Sequence, residues 1–379
     1  MTTIIGIGVT PFGQHVDRTI VSLGVEAGLA ALKDAGLSAA RVRAGFFANS
    51  LAARLFGDTT LGQNVFAALG LDALPIVNTE NACTSGATAL YLARLAIEAG
   101  EADVVLAIGA EKMCVPHLGL IDSGSTELDT QLGLVTPATF ALRAARHIYE
   151  FGTTPRQLAA VAAKNRDHAA LNPNAMFRKP ETIEEILSSP MIADPLTRAQ
   201  CCPIADGAAA VLLASDAVAA GIGRAIKVRA AVLESGSYEG PVDLARWHTD
   251  QRTARLAYEK SSLGPEDIDL IECHDAFTIS EILHCEALGL CEVGAGGTLV
   301  ESGATRLGGR RPVNVSGGLL SRGHPVAATG LAQIHELVLQ LRQEAGARQV
   351  AGCRTALAQC MGGDKAGDVR SCTMIVLCR

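Results

Sequence analysis

Apolar positions along the chain follow two periods that alternate. Residues 3–13, TIIGIGVTPFG, read as a strand ending in a Pro/Gly turn, and RTIVSLGVEAGLAALKDAGL (18–37) reads as a helix closing at Gly36. ARVRAGFFANS (40–50) supplies a second strand, residues 84–99 a helix, and DVVLAIGAE (103–111) a short apolar run of the kind found in buried strands. GAAAVLLAS (207–215) is another such run. From residue 225 the order repeats. AIKVRAAVLESG is a strand, DQRTARLAYEKSSLG a helix, IDLIECHDAF a strand running into a loop, and TISEILHCEALGL a helix. RPVNVSGG then leads through a turn into the helix of SRGHPVAATGLAQIHELVLQLRQEAG, and TALAQCMGG and CTMIVLC close the chain. The shared βα order without residue identity reads as a duplication.

The expected fold is therefore α/β, with mostly parallel sheets covered by helices on both faces. Residues 1–112 with 201–225 form one half and 226–379 the other. Between them, 113–200 changes texture: short helical patterns alternate with turn-rich stretches such as LNPNAMFRKPET and LSSPMIADPLT, which reads as an inserted loop domain.

Composition narrows the classes. A chain of 379 residues with 49% hydrophobic content supports a large aliphatic core, and a net charge of −7 without a basic stripe argues against nucleic acid or an anionic membrane as partner. No basic n-region precedes an apolar h-region, no run is long enough to cross a membrane, and the terminal VLCR is not a peroxisomal address, so a cytoplasmic protein is expected. Eleven cysteines without a C-x-x-C pair are expected to be reduced thiols. The adjacent pair in QCCP and the CH and HC dipeptides at 273–274 and 284–285 lack ligand spacing, and no metal is expected.

Four polar islands interrupt the apolar frame at loop positions: ENACTSG (80–86), ECHDAF (272–277), GGLLSRGHPVAATG (317–330) and QCMGG (359–363). Taken singly each is ambiguous. Cys83 at the head of a helix is either a small packing residue or a nucleophile favoured by the helix N-terminus. His274 could be a satisfied loop histidine and Cys360 a core thiol. His324 between Gly and Pro sits on a tight backbone that presents its ring, and the glycines after Cys360 permit close backbone approach.

Together, in this order and spacing, NACTSG, HDAF, GHPVAATG and CMGG resemble the thiolase family, and QCCPIADGAAAVLLAS with VNVSGGLLSRGHP resembles its sterol-carrier-protein-2 branch. There are two departures. That branch usually carries a cysteine within His-Asp-Cys-Phe and none in the Cys-x-Gly loop, whereas this chain has Ala276 and Cys360; and the usual glycine of the Gly-His-Pro loop is Ala327.

The resemblance implies the thiolase fold, two duplicated βαβαβ-type halves in α/β/α/β/α layers. It also implies an acyltransferase that cleaves 3-oxoacyl-CoA or condenses two acyl-CoAs, with coenzyme A as co-substrate and no tightly bound cofactor. Cys83 would be the nucleophile, His324 its base and Cys360 the acid/base for the α-carbon. His324 with His274 would form one oxyanion hole, and the backbone N–H groups of Cys83 and Gly362 the other. A homodimer or dimer of dimers is implied, and a separate small zinc-ribbon/OB-fold partner is compatible with it. Arg166, Arg178, Lys179 and Arg198 are either loose candidates for CoA phosphate contact or ordinary surface charge. A thiolase-fold aldolase or lyase acting on a CoA thioester, and a non-catalytic thiolase-like subunit, are the competing readings.

Overall fold

The computed structural model describes residues 2–116, 119, 124, 127–238, 242–365 and 367–379. Nine strands form one hydrogen-bonded sheet: β1 (Thr2–Val9), β2 (Ala44–Ala48), β3 (Ile76–Thr79), β4 (Val104–Glu111), β5 (Gly207–Ser215), β6 (Ile226–Ser235), β7 (Leu270–Glu272), β8 (Thr355–Lys365) and β9 (Asp368–Cys378). Among the described residues, eight helices reach eight residues: α1 (Ile20–Ala35), α2 (Leu61–Ala68), α3 (Ser85–Glu98), α4 (Thr136–Phe151), α5 (Pro155–Ala170), α6 (His248–Ser261), α7 (Thr278–Ala287) and α8 (Thr329–Arg342).

Strand order is β3-β2-β4-β5-β1-β6-β9-β8-β7. The duplication shows in this order. Each half starts with its first strand at the centre, and the halves meet through only two antiparallel pairs, Thr3↔Lys227 and Ile4↔Ile226. The expectation of mostly parallel sheets is corrected: β2–β3, β2–β4 and β7–β8 are parallel, while every pair involving β1, β5, β6 or β9 is antiparallel. The reason is that the last strand of each half reverses. β9 turns back directly on β8, and β5 returns after the long 113–200 segment. RPVNV, expected as a strand, pairs only at Val313, by a parallel bridge to Ile271. Pro312 lacks an amide proton and Asn314 takes a left-handed φ of 57°, so the ladder cannot extend.

Side-chain alternation along the strands builds five layers. On β4, Leu106 and Ile108 pack with Leu23, Ala27 and Val65 of α1 and α2, while Val105 and Ala107 face the layer of α3 and α8. That central layer sits between the two half-sheets, since Leu90, Leu331 and Leu337 contact a cluster containing both Val211 of β5 and Ile375 of β9. The far side of the second half carries α5, α6 and α7, around Leu158, Trp247 and Ile282. Within the inserted region, residues 117, 118, 120–123, 125 and 126 lie outside the described residues, and the described part, 127–200, is more helical than its sequence suggested. α4 and α5 are sixteen residues each, started by Pro137 and Pro155 in their first turns, with Thr154 and Gln157 forming a capping box.

The central helices approach through glycines. A Cβ on Gly86 would lie 2.4 Å from the Ala327 carbonyl oxygen, one on Gly109 2.3 Å from the same atom, and one on Gly330 2.7 Å from the Ala87 nitrogen. Gly109→Ala should therefore cost about 1–3 kcal/mol by overpacking, read as a lower urea midpoint at unchanged slope. Gly221→Ala, where an added Cβ meets nothing within 4 Å, should stay within about 0.5 kcal/mol.

Candidate active site

Cys83 is the second residue before α3 and is half-buried. The turn that presents it puts Ala82 at φ 47°, a left-handed conformation unusual for a residue with a side chain. Hydrogen bonds hold this turn. Ala82 N–H donates to Glu80 (2.8 Å), while the Ala82 carbonyl accepts from both Ser50 Oγ (2.9 Å) and Ser85 Oγ (2.6 Å). Thr84 does not cap α3; its hydroxyl instead meets Thr373 Oγ1 at 2.6 Å.

His324 lies in the loop before α8. The Thr329 hydroxyl donates to the Pro325 carbonyl (3.0 Å), so at 2.7 Å it accepts from His324 Nδ1–H. That assignment leaves Nε2 unprotonated. Cys83, His274 and His324 each place one sulfur or ring nitrogen within 4.8 Å of the others, and the two rings meet edge-on at 5.0 Å. The trio has donor types that also suit a soft metal, although neither dipeptide considered above supplies it as a unit. Cys360 lies behind, its Sγ 3.2 Å from the Cys83 carbonyl oxygen and 3.6 Å from His274 Nδ1.

The electrostatics differ from the expected activated thiolate. Burial pushes the Cys83 thiol up to about 12, against the smaller help of the Gly363 backbone N–H, and the charge of Glu111 adds to the rise. Burial also raises Cys360 and lowers His324 to about 3, with Arg322 contributing. His274 is held well below its ordinary value by burial, then by His324, His284 and Arg322. The resting site is a set of neutral thiols and neutral imidazoles. Taking all four groups out of water outweighs the helix terminus, whose effect is only about 0.3–1 kcal/mol.

QCMGG, expected as a loop, lies within β8, and sequence reading did not single out the groups that hold it and the three loops together. Glu111 accepts from the backbone N–H groups of Ser50, Leu51 and Ala327 and from Asn49 Nδ2, and burial lifts its carboxyl to about 7. It thus joins the end of β4 to the segment after β2 and the loop after His324. Asp275 accepts from Leu319 N–H (2.7 Å) and Leu320 N–H (3.4 Å), and a Cβ on Gly318 would collide with its carboxylate. His274 is clamped on both sides of its peptide: its N–H donates to Gln359 Oε1 (2.9 Å) and its carbonyl accepts from His284 Nε2–H (3.1 Å). Both partners converge on one carboxylate, since Gln359 Nε2 donates to Asp250 Oδ1 (2.9 Å) and His284 Nδ1 lies 2.6 Å from Asp250 Oδ2. No local pattern links Asp250 to residue 274; only a shared fold does.

The two departures have structural accounts. Ala327 lies in a short 3-10 turn without a positive φ, so its methyl is not strained. Ala276 lines the cavity, as Cys202 does, and its carbonyl accepts from Cys202 N–H at 2.8 Å. Gly362 pairs with Ser371 in the sheet, and it is the backbone N–H of the next residue, Gly363, at φ 71°, that favours the Cys83 thiolate.

A cavity of about 420 Å³ opens over Cys83, His274 and His324. Leu51, Met113, Leu134, Phe140, Phe277 and Met361 form its apolar walls, and Phe140 stacks on Phe277 at 4.3 Å. Its cations are Arg54, Lys365 and Arg370, the last two paired with Glu127. None of the four sequence candidates for phosphate contact lines it. Arg166 is buried against Glu181, the Leu320 carbonyl and the Phe177 ring, while Arg178, Lys179 and Arg198 are exposed elsewhere.

The chain belongs to the thiolase family: residues 2–217 match the thiolase N-terminal domain and 236–375 the thiolase C-terminal domain-like model. Among similar proteins is an acetyl-CoA acetyltransferase of Methanothermobacter thermautotrophicus, 39% identical over 95% of this chain and 96% of the relative. Human sterol carrier protein 2 is 39% identical over 95% of this chain and 69% of its own length. The benzoylsuccinyl-CoA thiolase subunit BbsB of Thauera aromatica is 39% identical over 95% and 94%. A solved structure described as the Ltp2-ChsH2(DUF35) aldolase superposes with a TM-score of 0.85 at 26% identity, covering 100% of this chain and 97% of that one.

Two outcomes follow from the neutral resting site. Iodoacetamide should alkylate Cys83 in the free protein at a rate that climbs about tenfold per pH unit from pH 7 to 9 without a plateau, because the thiol stays protonated; a plateau below pH 8 would contradict it. Thr329→Val should slow Cys83 acylation roughly 10²-fold by releasing the His324 tautomer, and Thr329→Ser should restore most of the rate in a rapid-quench assay.

Proposed function

We propose that this thiolase-family chain is an acyl-CoA acyltransferase that cleaves 3-oxoacyl-CoA with CoA or condenses two acyl-CoAs, carrying the acyl group on Cys83. The observation that carries the reading is the convergence of Cys83, His274 and His324, from three separated loops, at one largely apolar cavity, with the Cys360 thiol of β8 directly behind them. A thiol exchanges acyl groups with CoA readily because nucleophile and leaving group are chemically alike.

In the first half-reaction, His324 Nε2 takes the Cys83 proton as the sulfur attacks the thioester carbonyl. Charge then appears only while the bond forms. The Cys83 amide and an amide of the Gly362–Gly363 pair receive the carbonyl oxygen, each worth about 3–4 kcal/mol in comparable sites. The departing CoA sulfur takes the proton back from His324. In the second half-reaction Cys360 removes a proton from the α-carbon of the second acyl-CoA in condensation and returns it in cleavage. His274 faces the enolate oxygen, and His324 joins it as a donor only while its Nε2 carries a proton. The apolar walls suit the acyl chain, and Arg54, Lys365 and Arg370 are the cavity cations that CoA phosphates would meet.

The aldolase reading rests on the similarity to the Ltp2-ChsH2(DUF35) structure. Retro-aldol cleavage needs no acyl-enzyme, and the pair of thiols here favours acyl transfer. The pairing in the Ltp2-ChsH2(DUF35) structure and the description of the Thauera relative as a subunit support a separate partner protein for this chain. Among the described residues no helix is long and apolar enough to cross a membrane.

Intact-mass analysis after incubation with acetyl-, hexanoyl- and phenylacetyl-CoA tests the assignment. The wild type and Cys360→Ala should gain one acyl mass, Cys83→Ala none. Condensation and thiolysis should fall at least 10³-fold in both variants. An acyl adduct that survives in Cys83→Ala would remove Cys83 as nucleophile.

A further inference from the structure

Cys360 and His274 make a second thiol–imidazole contact, at 3.6 Å, beside Cys83 and His324, and this pair has a chemical consequence. Cys360 has one proton and two acceptors for it, the Cys83 carbonyl oxygen at 3.2 Å and His274 Nδ1 at 3.6 Å. His274 faces the cavity, and its peptide is fixed from both sides through Gln359, His284 and Asp250. If Nδ1 is the ring nitrogen that accepts, the single proton of the neutral imidazole must lie on Nε2.

We propose that Cys360 and His274 form a proton relay in which His274 takes the thiol proton of Cys360 as Cys360 takes the α-proton of the acyl-CoA. This rests on the acyl-transfer reading above and adds to it a base role for His274. The balance is complete within the site. The Cα–H bond breaks and an S–H bond forms at Cys360; the original S–H bond of Cys360 breaks and an N–H bond forms at His274 Nδ1. The electron pair left at Cα becomes the enolate. His274 ends as an imidazolium whose Nε2–H faces the new enolate oxygen, so the two charges arise together and side by side.

The arrangement accounts for a thiol that burial keeps protonated and yet must act as a base. No free thiolate is required, because the sulfur exchanges one proton for another. It also gives a purpose to the Asp250 clamp. A 3.6 Å contact between sulfur and nitrogen fails with small rotations of the ring, and fixing the peptide of His274 on both sides limits such rotations. Asp250 is a positioning residue here, acting through Gln359 and His284.

The relay is separable from Cys83 acylation by following hydrogen exchange at Cα. Wild type, Cys360→Ala, His274→Asn, His274→Gln and the Cys360→Ala/His274→Asn double variant would be incubated with acetyl- and hexanoyl-CoA in D2O. Deuterium at Cα is read by mass spectrometry, and the acyl mass on Cys83 is read in the same samples. Asn and Gln can still donate to an enolate oxygen but cannot accept a proton. Exchange should fall at least 100-fold in each single variant, and the double variant should be no slower than the worse single one, as expected for groups that act as a unit. Acylation of Cys83 reports that each variant retains a folded site, and it should change less than tenfold. Exchange in either amide variant within tenfold of wild type, or losses that multiply in the double variant, would overturn the relay. Wild-type protein that exchanges Cα but never acylates Cys83 would overturn the acyl-transfer reading while leaving the relay supported; wild-type protein that does neither overturns both.

Discussion

The contact on which the site depends is backbone against backbone, where α3, α8 and β4 meet. Gly86 and Gly109 leave room for the Ala327 carbonyl, and Gly330 lets the start of α8 touch Ala87 at the start of α3. Cys83 precedes one of these helices and His324 the other. A thiol and an imidazole far apart in the chain therefore share one cavity because two helix beginnings can approach more closely than side chains would permit. The duplication makes this possible, since each half sends an equivalent helix into the central layer.

Burial then determines the chemistry. A helix N-terminus favours a thiolate by a fraction of a kcal/mol, whereas removing a thiolate from water costs several. Here the second effect is larger, and Cys83 and Cys360 rest as thiols beside imidazoles that are themselves neutral. Such a site holds no standing charge for water to solvate. Each ion pair must be made by the reaction that uses it, beside the oxyanion that balances it.

Keeping polar groups in a dry interior demands partners, and the structure supplies them through carboxylates that do not line the cavity. Glu111 gathers three backbone amides from two loops. Asp275 holds the start of the 318–322 turn, and Asp250 holds the peptide of His274 through two intermediaries. Of these only Asp275 belongs to a motif, and its carboxylate accepts backbone amides. The departures from the sterol-carrier-protein-2 pattern fit this frame without strain: Ala327 needs no left-handed backbone, and Cys360 moves the second thiol to β8, within reach of His274.

The sequence by itself determined the alternation of elements, the repeated half, and the four polar islands carrying Cys83, His274, His324 and Cys360. These are local properties: side-chain period follows from backbone geometry, and a Gly-His-Pro turn or a Cys-x-Gly motif is written in adjacent residues. It misjudged what depends on partners distant in the chain. The antiparallel return of β5 and β9 is set by how long segments reverse, RPVNV stops at a single bridge beside Pro312, and the helices α4 and α5 are stabilised by packing on the second half. The protonation of Cys83, the tautomer of His324 and the convergence of Gln359 and His284 on Asp250 were decided only by the tertiary structure. Burial and hydrogen-bond direction are properties of a surrounding volume, and neighbours in that volume are hundreds of residues apart along the chain.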